Sequence, residues 1–170
     1  MVVRLGKPGN SAFLASRCLG HQRVVTCASP TYLAGRGSPA CASDLAAHDC
    51  LTFACAGGVV PWTLPEGAAG TTHLMIDGRH TISDGEALRS AVLDGLGIAQ
   101  LPTWLVADDL RSGALVAILA AQGVKGTPIQ AMWPLTRNVA PKIRLAVDEL
   151  LASFLPLAPW DSTLPDRSNP

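Results

Sequence analysis

The stretch SDGEALRSAVLDGLGIAQLPTWLV, Ser83 to Val106, decides the fold class. Ser83 and Glu86 stand in the S-x-x-E arrangement of a capping box, so the spacing predicts a helix with Ser83 as its N-cap. Ala87, Leu88, Ala91 and Val92 then share one face, and Gly95 ends the helix. Gly97 to Leu101 reads as a buried strand closed by Pro102, and Thr103 to Leu110 as a second helix with an acidic Asp108-Asp109 end. Helix, buried strand and helix in quick succession imply α/β architecture.

The same alternation holds on both sides. Upstream, Val2 to Leu5, Phe13 to Leu19 and Arg23 to Ala28 are rich in Leu, Val, Thr or Cys and read as strands, with Gly20 breaking the second from the third. Ser29-Pro30 opens a helix, Ser as N-cap and Pro at the first helical position. A short helix is expected from Ser43-Asp44 to about His48, followed by a strand over Leu51–Cys55. Trp62 to Leu64 and Thr72 to Ile76 read as strands joined by a loop at Pro65-Glu66-Gly67. Asp77-Gly78 is a two-residue turn signal that would fold His80 to Ile82 back across it. Downstream, Ala114 to Leu119 and Pro128 to Trp133 are two further strands. Pro141 starts a helix whose Ile143, Ala146, Val147, Leu150, Leu151 and Phe154 form one apolar face. The stretch from Pro156 to Pro170 is proline-rich and is expected to be disordered.

Composition excludes several functions. With 170 residues, 48% of them hydrophobic, the chain suffices for one domain or two small lobes. Thirteen basic residues balance thirteen acidic ones, whereas a surface that grips phosphates needs a basic excess or a basic face. The five cysteines include no CxxC pair, so the expectation is buried, reduced thiols rather than a disulfide framework or a zinc site. The four histidines lack metal spacing, and no metal or other cofactor is expected. There is no GxSxG, HExxH, Walker loop or GxGxxG, which argues against an enzyme. The N-terminus lacks a signal-peptide h-region and no apolar run is long enough to span a bilayer, so a cytoplasmic location without membrane contact is expected.

Five blocks in register resemble the effector-binding domain of LysR-type transcriptional regulators. They are VVRLG (Val2–Gly6), RVVTCASPTYLAGRGSP (Arg23–Pro39), DLAAHDCLTF (Asp44–Phe53), DGEALRSAVLDGLGIAQLPTWLV (Asp84–Val106) and PLTRNVAPKIRLAVDELL (Pro134–Leu151). The resemblance runs from the first residue to about Leu155. It implies a two-lobe fold like that of type 2 periplasmic binding proteins, with an effector held between the lobes. Residues from about 23 to 110 would form the second lobe; residues 1–22 and 111–155 would form the crossings and an incomplete first lobe. The winged helix-turn-helix of the family is not among these residues, so DNA would be reached only through such a segment, in a homo-oligomeric parent. Without the opening elements of the first lobe, the apolar face of the 143–154 helix is expected to lack cover, leaving the chain marginally stable or sticky.

The resemblance and the residues together nominate an effector site for a small organic or aromatic acid. Ser83 and Asp84 stand where a helix start offers free N–H groups, although Asp84 and Glu86 weaken an anion site and an ordinary N-cap is the alternative role for Ser83. Arg4, beside Gly6 at the first crossing, is a candidate to pair with a carboxylate, or else a surface ion-pair partner. Gly97 and Ile98 lie in a turn where missing side chains permit close backbone approach, or where helix and sheet simply pack tightly. Ala28 and Ser29 stand at a strand's carboxyl end, a favoured ligand position in open α/β sheets. A transporter's solute-binding component and a fragment without function are the alternative readings.

Overall fold

The computed structural model describes residues 1–6, 12–66, 70–119, 126–135 and 140–154. The elements run β1 (Val2–Leu5), β2 (Leu14–Gln22), β3 (Val24–Ala28), α1 (Pro30–Arg36), a 3₁₀ turn (Ala42–Ala47), β4 (Cys50–Cys55), β5 (Gly58–Val59), β6 (Trp62–Glu66), β7 (Gly70–Leu74) and β8 (His80–Ile82). They continue with α2 (Gly85–Leu93), β9 (Ile98–Pro102), α3 (Thr103–Ser112), β10 (Val116–Ala117), β11 (Thr127–Pro134) and α4 (Pro141–Phe154). The proline-rich tail and the residues between 119 and 126 lie outside the described residues.

The chain divides into two compact units, the smaller built from its two ends and the larger from its middle. In the smaller unit β11 is the central strand, antiparallel to β1 on one side and β2 on the other. The strand at the extreme N-terminus is therefore paired, and Gly6 extends the pairing by donating its N–H to Pro128 O at 2.9 Å. Gly20 does not end β2. The strand runs on to Gln22, and the register shifts beside Gly20 in a bulge that leaves Leu19 without an opposite number. That bulge inserts the Leu19 side chain into a core with Ala131 and Val147, against which Ile143, Leu150, Leu151 and Phe154 pack. The apolar face of α4 packs on β2 and β11 with Val147 buried and Ile143, Leu150, Leu151 and Phe154 half-buried, so the face that the sequence reading left without cover is partly covered.

The larger unit is a mixed sheet in the order β10-β3-β9-β4-β5, with β8 parallel to β4. Successive residues go to opposite faces, as the period of two demands. Val25, Cys27, Leu51, Ala99 and Leu101 meet Leu88 and Val92 of α2 and Val106 of α3. Ala28, Cys50 and Ile98 face the other way and meet Tyr32, Leu45, Trp62 and Leu64. This second face is capped by α1 and the β6–β7 hairpin, whose β6 includes the Pro65-Glu66 pair expected to be loop.

The Asp77-Gly78 turn does not return β8 onto β7. β8 instead pairs parallel to β4, Leu51 opposite His80 and Phe53 opposite Ile82. Gly78 is not among the positive-φ glycines, so it does not make the type I′ turn that a tight hairpin requires. Its missing side chain serves close approach, since a Cβ there would lie 2.6 Å from the Thr52 side chain. Thr52 Oγ1 in turn bonds Thr81 Oγ1 at 2.9 Å, which stitches β4 to β8.

Candidate functional site

The eight residues nominated from sequence fall in three places. Arg4 and Gly6 belong to the smaller unit, Arg4 exposed on β1 opposite Gln130 and Gly6 at φ +98° where the strand ends. Ser83 and Asp84 lie at the start of α2. Ala28, Ser29, Gly97 and Ile98 meet where β3 ends and β9 begins. Within the larger unit the nine residues of α2 separate the second place from the third, about 13 Å of helix.

At the start of α2 the capping residue is Asp84, not Ser83. Asp84 has extended backbone angles, and its Oδ1 accepts the Ala87 N–H at 2.8 Å. The carboxylate displaces the expected Ser83 cap because an anion satisfies the free N–H groups and the helix dipole together. Ser83 is left exposed beside it. Glu86 does not reach back to close a box; it pairs with Arg89 at 3.4 Å.

The third place is closed. Ala28 and Ile98 are fully buried in the core, and Ser29 is 2% exposed with its Oγ accepting the Tyr32 N–H. Gly97 lies under the backbone of Asp49, where a Cβ would sit 2.1 Å from the carbonyl oxygen. Ile98 N–H donates to that same carbonyl at 2.9 Å. Here glycine permits backbone to pack on backbone.

Two polar constellations were not singled out from sequence. The first lies under the β6–β7 hairpin. Gln100 accepts the Thr63 N–H at 2.8 Å through Oε1, and its Nε2 donates to Thr63 O at 2.9 Å and to Thr26 Oγ1 at 3.1 Å. The side-chain amide thus imitates a strand and fastens the hairpin to the sheet. The second lines an open depression of about 530 Å³. Asp49 accepts from Arg36 Nη2 at 3.0 Å and from Arg79 Nη1 at 2.8 Å, and the Arg79 bond above all holds its carboxyl below the usual range. Tyr32, beside them, has its hydroxyl between the Asp49 N–H at 2.9 Å and His48 Nδ1 at 3.1 Å. Burial pushes that phenol up. These partners are 13 to 30 residues apart in sequence, so no local motif announces them. Gly95 and Leu96 of the nominated glycine turn border the same depression.

Of the tryptophans, Trp62 is core and Trp133 packs on the smaller unit's core, while Trp104 is half exposed on α3. The cysteines divide: Cys27 and Cys50 are buried, but Cys18, Cys41 and Cys55 are exposed, which corrects the expectation of uniformly buried thiols. Among the described residues no cluster of metal-ligating side chains occurs and no helix is long and apolar enough to cross a membrane.

An α/β module of two compact units, the larger built on a mixed sheet packed on both faces, is what this architecture defines. The family model described as the LysR substrate binding domain matches residues 1–155, and the chain belongs to that family. It is 36% identical over 152 residues to the HTH-type transcriptional regulator CrgA of Neisseria meningitidis serogroup C (strain 8013), a match covering 89% of this chain and 50% of the relative. The solved regulatory domain of CrgA from Neisseria meningitidis superposes with a TM-score of 0.75 at 30% identity, covering 89% of this chain and 74% of that one. The full-length Vibrio cholerae virulence activator AphB superposes with a TM-score of 0.72 at 26% identity, covering 88% and 50%. The chain thus spans about half the length of these regulators and corresponds to their effector-binding part, with the type 2 periplasmic-binding-protein-like fold that such regulatory domains have.

Proposed function

We propose that this chain senses a small organic acid or aromatic acid on behalf of a LysR-type transcriptional regulator, and that DNA contact is made by a helix-turn-helix segment outside these residues. The family match over residues 1–155 carries this reading. The zero net charge supports it, because the described domain offers no basic excess for phosphates. Non-enzymatic sensing is supported by relatives that are named as transcriptional regulators.

In this reading Ser83 is the group at the start of α2 that is free to meet the effector, since Asp84 already serves the helix. Ser83 offers a hydroxyl that can donate or accept. Arg4, exposed on β1 of the smaller unit, is by itself a second candidate to pair with a carboxylate. Switching then requires the effector to bind two arrangements of the parent oligomer with different affinity, shifting their populations.

The test is calorimetric titration of the chain with a panel of small aliphatic and aromatic carboxylates, repeated with Ser83→Ala and Arg4→Gln. Saturable binding weakened by either substitution supports the reading for that residue. Binding indifferent to both substitutions rejects this assignment of residues, and no binding by any acid rejects the effector class.

A further inference from the structure

We infer that the depression beside α1 is a second, separate binding site for a small carboxylate bearing a short apolar body, held by Arg36 and Arg79. Its walls come from α1, from Thr31 to Arg36 at its last residue, with Asp49 ahead of β4, Arg79 and His80 at the start of β8, and the turn after α2. The start of α2, where the effector reading places Ser83, stands a full helix length away.

The charge arithmetic favours an anion. Two guanidinium groups share one carboxylate, so the Arg36–Asp49–Arg79 cluster carries a formal charge of +1. A guanidinium has five N–H donors, and each arginine donates one of them to Asp49. The remaining donors are exposed, with the side chains 54% and 60% accessible. Asp49 acts as a spacer that holds the two cations side by side. An arriving carboxylate gains bidentate hydrogen bonding from either fork.

The shape argues for a carboxylate with a small body. Gly35 and Gly95 contribute no side chains to the wall, which keeps about 530 Å³ open. Leu96, 46% exposed, provides an apolar patch against the same space. The Tyr32 hydroxyl is already engaged by Asp49 N–H and His48, so recognition falls to the arginines, with Thr31 and His80 on the same wall.

Gly35 allows the site to be blocked without touching its charges. A Cβ built there meets nothing within 4 Å, and its φ is not in the left-handed region, so Gly35→Leu is tolerated by α1 and projects a side chain into the space. The experiment is titration of the whole chain with benzoate, propionate and inorganic phosphate, followed through backbone amide NMR shifts. The expected result is saturable movement of the Gly35, Gly95 and Leu96 amides with the carboxylates. Arg36→Gln and Arg79→Gln should each weaken binding roughly tenfold, as loss of a charged hydrogen bond implies. Gly35→Leu should abolish it with the thermal melt preserved, and Ser83→Ala should leave it unchanged. Still amides at this site, or shifts that survive all three substitutions, would overturn the proposal. So would a response to phosphate alone. Shifts confined to the start of α2 would overturn it too, while leaving the effector reading standing.

Discussion

Arg89 Nε and Nη2 donate to the two carboxylate oxygens of Asp109 at 2.5 and 2.7 Å, a fork-to-fork pair that ties α2 to α3. Asp109 is 7% exposed and lies near the carboxyl end of its helix, where a negative charge opposes the dipole. Arg89 offsets that cost. We predict that Arg89→Met, which strands the buried carboxylate, destabilises the fold by about 2–3 kcal/mol. The double change Arg89→Met with Asp109→Leu should recover most of it. Chemical denaturation of the three variants checks this, and additive losses in the double variant would sink it.

Asp84 and Ser83 are neighbours that the structure separates by role. Asp84→Ala should cost about 1 kcal/mol through the lost cap. Ser83→Ala should stay within about 0.5 kcal/mol in the absence of an effector. A larger loss at Ser83 than at Asp84 in thermal denaturation would restore Ser83 as the cap.

Gly97→Ala should be among the most damaging single-methyl changes available. The added Cβ would fall 2.1 Å from the Asp49 carbonyl, so β9 must withdraw from β4 and surrender the Ile98–Asp49 hydrogen bond. A loss of about 3 kcal/mol or failure to fold is expected. Gly113→Asn, at φ +77° with open space around it, should by contrast be mild, because Asn tolerates the left-handed region. Paired melting curves test the contrast.

Thiol reactivity should report the division of the cysteines. Burial, and then the charge of Asp109, push the Cys27 thiol up to about 12. Burial, and then Asp49, push Cys50 up to about 11. Neither forms appreciable thiolate at neutral pH, and thiolate is the reactive species. Titration with an aromatic disulfide should therefore find three accessible thiols in the native protein and five after denaturation. Five fast thiols in the native state would contradict the burial.

Acid should weaken the fold through Asp44 and Asp49. The N–H groups of Ala40 and Cys41 hold Asp44 low, and the Arg79 bond holds Asp49 low. A carboxyl with a depressed folded value contributes stability above its unfolded value, near 3.9. That contribution is lost as pH falls through the lower folded value. Stability should drop below about pH 4, and Asp49→Asn should make the curve shallower there. An unchanged acid limb in Asp49→Asn would show that the arginines contribute nothing through it.

Residue order alone settles the α/β class, the helix start at Ser29-Pro30, the strand and helix on either side of Pro102, and the family. Each is encoded in local periodicity, a cap or a block of neighbouring residues. Tertiary structure decided the rest. It paired β8 with β4 instead of β7, laid α4 on β2 and β11, gave the cap to Asp84, and placed the Gln100 clamp and the Arg36–Asp49–Arg79 cluster. These depend on contacts between residues far apart in the chain, and no sequence window carries a pairing whose partner lies 30 or 37 residues away.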